Sequence, residues 1–486
     1  MRSGRRGTLR LVTGAVLLAA AVSCTDGDAP GEPAPSTPRP TPTVYRGEVP
    51  PGLAETPLRY LHGSQEPGQE ILGDPRGVRV HAVGDAFLIS SNSEERHLLQ
   101  DAADGSVLWR GESSIERFTQ DRSGADVFEV STREGDRVTR TVVNAAGEPV
   151  WSGSDPRESY LNGLVVRAPA GWTAAEPYGE FVLRDPAADG VEWAYEFTAP
   201  AETDAEDPAD DEESDDEGEE AADDEEAAAH LGVPVGARDD VVLLDDGAGL
   251  LQARDLSDGA ALLWSVSGDS VAAEDGRPLS APRPRLLGFY PLPEEEGGSP
   301  ADDAESEESA EPRRTALVRW SSPEESSLLS LHDLRDGETL WTLREPGSNP
   351  LGRAFATAPV AGTVWDAAAG VLLVPQADAA TPVIAVDLAS GETLWTLDDA
   401  AERSISPRFT LAGYVYGDTR ADDGGSQVVF EAETKDLVAD DLPGYVEAVT
   451  DDGHALVVQD RQRFVFAPET PPADTATPSP SPTERG

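Results

Sequence analysis

The sequence predicts an all-β chain folded as a β-propeller of four-stranded blades, with eight blades favoured and seven as the fallback. Three observations predict it. Trp109, Trp151 and Trp193 fall 42 residues apart, and a fixed period near 40 residues marks a repeat fold. Each of these Trp residues closes a similar phrase, in which an apolar run ends in a turn carrying Gly and a second short run follows. Each period also holds about four apolar runs and almost no long helical pattern, which calls for one small sheet per repeat.

The phrase is clearest at residues 385–395, where Asp387, Gly391 and Trp395 stand in Ala-Val-Asp-Leu-Ala-Ser-Gly-Glu-Thr-Leu-Trp. Residues 99–109 and 331–341 repeat it with Asp101, Gly105 and Trp109, and with Asp333, Gly337 and Trp341. Residues 253–264 carry one extra residue between Gly259 and Trp264. The copies from Asn144 to Trp151 and from Asp185 to Trp193 each slip by one residue. A last copy, 430–439, has lost both Gly and Trp. The physics is that of a β-hairpin, in which a strand ends in Asp, the Asp side chain caps a polar turn, and Gly takes a positive φ. Apolar runs such as 78–83 with 86–90, and 371–374 with 383–386, supply the other two strands of a unit.

The remaining Trp spacings are longer than one period. Residues 202–226 hold 17 Asp or Glu and no base, and residues 294–311 hold 9 more. Such runs bury no apolar area and are expected as solvated, disordered insertions, about 200–229 and 293–313. With the excess lengths removed, 52–468 accommodates about eight units of this period. After residue 439 only three strand-like runs remain, 445–450, 454–459 and 462–467. A segment near 58–72 is expected to supply the fourth strand and so close the ring without a free sheet edge.

This phrase resembles the tryptophan-docking repeat of quinoprotein-type (PQQ-like) propellers, over roughly residues 55–468. The resemblance implies that Trp109, Trp151, Trp193, Trp264, Trp341 and Trp395 have a structural task, stacking between neighbouring blades.

The front of the chain reads as an address. Arg2, Arg5, Arg6 and Arg10 form a basic region, and residues 11–22 form an apolar run. Twelve helical residues rise about 18 Å, too short for a bilayer core of roughly 30 Å. The pattern is that of a signal peptide over 1–23. It ends Ala21-Val22-Ser23-Cys24, and Cys24 is the chain's one cysteine. This resembles the bacterial lipoprotein lipobox, which implies cleavage before Cys24 and a diacylglyceryl group on its thiol. The alternative is an ordinary secretory signal. Arg5-Arg6 leaves the twin-arginine route open beside the general secretory one. Residues 24–51 are Pro-rich and read as an extended tether, and 469–486 as a disordered Pro/Ser/Thr tail.

Charge and composition exclude several functions. A formal net charge of −55 repels phosphate backbones, so no nucleic-acid partner is expected. One Cys leaves no internal disulfide, no Cys-rich zinc site and no vicinal Cys pair of the kind the quinoprotein alcohol dehydrogenases carry. No Gly-x-Ser-x-Gly occurs, and the six His stand apart at 62, 81, 97, 230, 332 and 454. The Asp pairs at Asp101, Asp255 and Asp333 offer two carboxylates per turn, short of the six or more oxygens calcium needs. No catalytic, cofactor-binding or metal-binding residue is therefore assigned. The expectation is a monomeric, lipid-anchored binding scaffold outside the cytoplasm, its partner a protein or envelope ligand. It resembles, in anchor and repeat, the propeller lipoprotein of Gram-negative outer-membrane assembly. The use of Arg over Lys suggests instead a high-GC Gram-positive host, to which that role does not transfer. The alternative is a divergent quinoprotein-like enzyme that uses the propeller funnel.

Overall fold

The computed structural model describes residues 44–61, 70–73, 77–188, 190–199, 231–271, 276–292, 312–323, 325–350, 352–419 and 426–469. Cys24, the proline-rich stretch to residue 43, the tail after 469 and the bulk of both acidic stretches lie outside the described residues.

Eight four-stranded antiparallel sheets follow one another along the chain as the blades of a propeller. Blades 1 to 7 span 78–111, 114–153, 158–197, 233–267, 283–344, 364–396 and 405–439. Blade 8 takes three strands from 445–466 and its fourth from Arg59–Leu61. That strand pairs antiparallel with Gln462–Phe466, with Arg59 opposite Val465 and Leu61 opposite Arg463. The ring thus closes through the N-terminal segment, as the strand count requires.

First strands line the axis. The strand Ile405–Leu411 touches both Val364–Asp366 and Tyr445–Val449, and Tyr445–Val449 in turn touches Val78–Val83. Second and third strands are pressed between neighbouring blades on both faces. Ala86–Ser91 and Leu328–Asp333 are accordingly buried at every position, which is why they read as unbroken apolar runs rather than alternating ones. The core is shared between blades. Leu373 and Trp395 of blade 6 pack with Val415 and Phe430 of blade 7 in one buried cluster.

Order begins earlier than the tether boundary at residue 51 implied. The Tyr45 ring meets Phe464 and Phe466 edge-on at 5.3 and 5.1 Å. Gln459 accepts from the Arg46 N–H at 2.8 Å and donates to the Arg46 carbonyl at 2.6 Å. A buried amide satisfied twice by backbone fixes that segment on blade 8.

The tryptophan phrase joins blade to blade through the backbone of one residue. In blades 1, 5, 6 and 7 the turn closes by a bond from its fifth residue to its first, Gly105→Asp101, Gly337→Asp333, Gly391→Asp387 and Lys435→Glu431. The second residue of each turn donates its N–H to its own blade, Ala102 to Asp85, Leu334 to Arg314, Leu388 to Gly370 and Ala432 to Gly413, at 2.8–3.1 Å. Its carbonyl faces the preceding blade. Trp264, Trp341 and Trp395 donate their indole N–H groups to the carbonyls of Leu334, Leu388 and Ala432 at 3.0, 2.7 and 2.7 Å.

Glycine is required in these turns by contact as well as by φ. A Cβ on Gly391 would stand 2.5 Å from Trp341, and one on Gly337 would stand 2.5 Å from Trp264. Gly370 shares the positive φ, at 68° against 74° for Gly391, and would meet nothing within 4 Å. The two positions therefore separate backbone strain from blade docking. Gly370→Ala is expected to cost about 1 kcal/mol, the strain alone. Gly391→Ala is expected to cost at least about 2 kcal/mol more, because it drives the indole out of its seat. Urea midpoints of the two variants check this, and equal losses would count against it.

Candidate functional site

Links from a fourth strand to the next first strand emerge on one face of the ring. The link between blades 5 and 6, residues 345–363, leaves its own blades and lies as a strap over that face. Its root is held by a buried ion pair, Arg319 to Glu345 at 2.6 Å, with side-chain exposures of 6% and 0%. Asn349 donates to Glu345 and Gln376 at 2.9 and 3.0 Å and accepts from the Ala377 N–H at 2.8 Å. Gln376 donates to Glu345 at 2.7 Å. Every oxygen of the Glu345 carboxylate thus has a partner, the condition under which a buried charge is tolerated.

Further along, Phe355 takes a φ of 57°, unusual for a residue with a Cβ. Its ring packs among the cores of blades 3, 4 and 5. It also seats on Gly247, where a Cβ would stand 2.8 Å from the ring. The strap is therefore pinned by an aromatic ring at its middle and by a polar network at its root.

Beneath the strap lies the axial cavity, about 520 Å³, lined by first strands of blades 1, 2, 4, 5 and 6, by Asn162 of blade 3 and by residues 356–360. Its walls are mostly apolar, including Phe118, Leu287 and Phe289, with Gln120, Asp126, Asn162 and Arg238 as polar groups. Asp126 has its carboxyl pushed up, chiefly by burial. Asp451, whose N–H donates to the Gly84 carbonyl, is raised by burial and then by the charges of Asp126, Asp85 and Asp452. Arg238 lies over Gly124 and is pushed down by burial and by Arg314.

A second cavity, about 250 Å³, opens beside the first and shares Val235, Leu286 and Ala356 with it. Its polar lining is Arg283, Arg285, Arg353 and Asp245. Asp245 accepts the Gly247 N–H at 2.8 Å. Burial nevertheless pushes its carboxyl up to about 7, with Asp246 adding to the rise and Arg283 opposing it.

Among the described residues no group of three or more His, Cys, Asp or Glu converges to hold a metal ion. The turn aspartates at Asp101, Asp255 and Asp333 each accept a backbone N–H of their own turn, at 2.9, 2.8 and 2.7 Å. His332 stacks on Trp264 at 5.9 Å, and burial pushes it down to about 4. It is a neutral part of the joint between blades 4 and 5.

The six phrase tryptophans divide into two groups. Trp264, Trp341 and Trp395 dock on the next blade by their N–H groups. Trp109, Trp151 and Trp193 face receiving turns of other lengths, Asn144–Gly147, Asp185–Gly190 and Asp255–Gly259 with an extra Ala260. The rings of Trp109 and Trp151 fold back over Gly111 and Gly153 of their own strands. The Trp151 N–H is buried without a partner among the described residues, and its ring meets Tyr160 of blade 3 at 6.4 Å. Trp193 instead faces the Arg254 guanidinium of blade 4 at 6.0 Å.

Two residues of this system were not foreseen. Arg59 stands at the seam in the place of a docking Trp, donating to the Ala102 and Asp101 carbonyls at 3.0 and 2.7 Å and to Gln100 at 3.1 Å. Its guanidinium covers Gly105 as an indole covers Gly337. Lys435 stands at the glycine position of blade 7 with a φ of 63°. Its ammonium reaches back to the Thr396 carbonyl and to Glu402, at 3.1 and 3.0 Å. The signal for Lys435 lay in the phrase itself, where it occupies the slot that Gly391 fills.

No protein-family model matches the chain, and no curated protein matches it. Its fold is similar to that of BamB from Moraxella catarrhalis, at 14% identity, 80% of this chain, 96% of that one and a TM-score of 0.38. It is similar to a quinohemoprotein alcohol dehydrogenase from Comamonas testosteroni at 11% identity, covering 81% and 76%, with a TM-score of 0.38. It is also similar to Sqt1 of Saccharomyces cerevisiae at 8% identity, covering 81% and 96%, with a TM-score of 0.40. Likenesses this distant say nothing about function.

Asp245 makes a pH prediction. Its folded-state value, about 7, lies above the ordinary 3.8. A carboxyl raised in this way takes stability from the fold as pH rises from about 4 to about 7, at up to about 1.4 kcal/mol per unit. Asp245→Asn keeps an acceptor for Gly247 and never ionises. It is expected to melt above wild type at pH 8, with the difference vanishing near pH 4. A variant that melts below wild type at pH 8 would overturn this.

Proposed function

We propose that the chain is a membrane-anchored lipoprotein of the extracytoplasmic face whose propeller binds a protein or envelope ligand without catalysing a reaction. The anchor is Cys24, with the basic and apolar run before it and the Pro-rich spacer after it. Two acyl chains hold a protein on a bilayer stably, since each buried methylene contributes about 0.8 kcal/mol. The observation that supports the binding reading most is the pinned strap over the axial cavity. A closed ring fixes the loops of that face relative to one another, and a polar network with a seated aromatic ring fixes the strap on them. Preorganised loops on a rigid scaffold are what recognition needs.

A second reading, a divergent enzyme using the funnel, draws on Asp245. A buried carboxyl poised near neutral pH in a cavity is the kind of group that acid–base chemistry uses. In this cavity its described neighbours are arginines and apolar groups, with no nucleophile among them. Binding is therefore the reading adopted.

The test begins with intact mass and membrane partition of the native protein beside Cys24→Ala. The expected wild-type product starts at Cys24, carries a diacylglyceryl group and sediments with membranes, while Cys24→Ala is released. Surface cross-linking on the anchored protein is then expected to capture a discrete partner, lost on substitution of strap residues. An unlipidated, soluble wild-type product would overturn the anchor. Turnover of an alcohol or sugar with added quinone would overturn the binding reading.

A further inference from the structure

The two central arginines of blade 5 are placed where like charges repel. Arg285 and Arg319 stand directly opposite each other on paired antiparallel strands, an arrangement that disfavours two charges of one sign. Arg319 lowers the pKa of Arg285, after burial, which is the larger cause. Only one of the pair has its countercharge. Arg319 donates to Glu345 at 2.6 Å and to the Pro375 carbonyl at 2.9 Å. Arg285 has no hydrogen-bond or ion-pair partner among the described residues. The Nε–H groups of both Arg285 and Arg319 are buried and have no partner among the described residues. A buried charged donor left unmade costs more than a made bond returns.

The surroundings of Arg285 are built and not incidental. Its guanidinium borders the 250 Å³ cavity together with Arg283 and Arg353. Gly352 of the strap, at a φ of 73°, leaves room for it, since a Cβ there would stand 2.8 Å from a terminal nitrogen. Phe355, at its positive φ, forms the neighbouring wall. Arg283 acts on Asp245 through space, and neither Arg283 nor Arg353 forms a close ion pair among the described residues. Three guanidinium groups and a single carboxyl, Asp245, therefore share one small cavity. The surplus is positive, in a chain whose formal net charge is −55.

We propose that this cavity is a binding site for a carboxylate group, held by Arg285 at its base and by Arg283 and Arg353 at its rim. A planar guanidinium presents paired N–H donors that match the two oxygens of a carboxylate. A carboxylate there supplies the countercharge that the Arg285–Arg319 pair lacks. Its single charge suits a cavity that also contains Asp245, which repels a phosphate dianion more strongly. The volume, below the range of roughly 300–1,000 Å³ usual for whole small-molecule ligands, fits one such group and not a fused-ring cofactor. This goes beyond the scaffold reading and does not depend on the lipid anchor.

The carboxylate comes either from a free small acid or from an acidic residue of a peptide. Both sources are distinguished by titrating the full chain at constant ionic strength with acetate, with inorganic phosphate, and with N-acetylated tetrapeptide amides of alternating Asp and Glu or of alternating Asn and Gln. Calorimetry and the melting temperature are the readouts. Saturable binding of the acidic peptide or of acetate, with the amide peptide silent and phosphate weaker, is expected. The acidic peptide binding more tightly than acetate assigns the source to a peptide, and the reverse order assigns it to a free acid. Arg285→Gln is expected to weaken the bound probe at least tenfold while its own melting temperature, without ligand, is no lower than that of wild type, because a repulsion is removed. Arg353→Gln, at an exposed position, is expected to weaken it severalfold in a chain whose fold is not in question. Binding unchanged in both variants, an amide peptide that binds as well as the acidic one, phosphate that binds more tightly than either carboxylate, or no probe binding at all would each overturn the site.

Discussion

At Ala102, Leu334, Leu388 and Ala432 the backbone of one residue is bonded on both sides. Its N–H ties the turn to the second strand of its own blade, and its carbonyl receives a donor from the blade before. Blade order, the glycine of the turn and the side chain at the end of the fourth strand all follow from that arrangement. The carbonyl is presented toward the neighbour where the turn closes with a bond from fifth residue to first, from Gly to Asp in blades 1, 5 and 6 and from Lys435 to Glu431 in blade 7. Where the spacing differs, as at Asn144–Gly147, the neighbouring Trp has no such acceptor and its ring takes another course. The joints from blade 4 through blade 7 and across the seam are thus of one kind, and those from blade 1 to blade 4 of another.

The seam shows which part of the docking is chemistry and which is shape. Arg59 reaches the same carbonyl that an indole reaches elsewhere, and it lies over the same turn glycine. A guanidinium is planar and covers a backbone as an aromatic ring does, and it adds donors for Asp101 and Gln100. The strand that carries Arg59 pairs with a segment about 400 residues on in sequence, so closing the ring costs loop entropy. The Arg59 donors then tie that strand to blade 1. Lys435 is a related exchange in blade 7. A left-handed backbone costs a side chain about 1 kcal/mol. Its ammonium returns part of that through Glu402 and the Thr396 carbonyl, a partly exposed pair contributing at most about 1 kcal/mol.

Much of this was legible in the sequence because the ring is periodic. The strand runs at 78–83, 86–90, 371–374 and 383–386 match observed strands to within a residue. The three runs after residue 439 become three strands of one blade. The need for a fourth from the N-terminal side followed from the rule against open edges. What escaped notice is aperiodic. Arg59 acts through residues of the adjacent blade 1, and Tyr45 and Arg46 through blade 8 residues more than 400 positions on, and nothing in their local sequence repeats. The strap has no strand pattern, yet Phe355 holds it through a glycine in another blade. The Arg285–Arg319 pair is visible only once the strand register is known. A shift of one residue would have turned the two side chains to opposite faces.

Arg59 performs, at the joint between blade 8 and blade 1, the task that tryptophan performs between blades 4 and 7. Native-state hydrogen exchange on Arg59→Gln beside wild type tests it most directly. If Arg59 is the latch, the variant loses protection first at the seam. The amides to follow are Leu58, which bonds to Val465, and Ala102, which bonds to Asp85. Amides at Leu334 and Leu388 should keep their wild-type exchange. Equal loss around the whole ring, or unchanged protection at Leu58 and Ala102, would contradict the account.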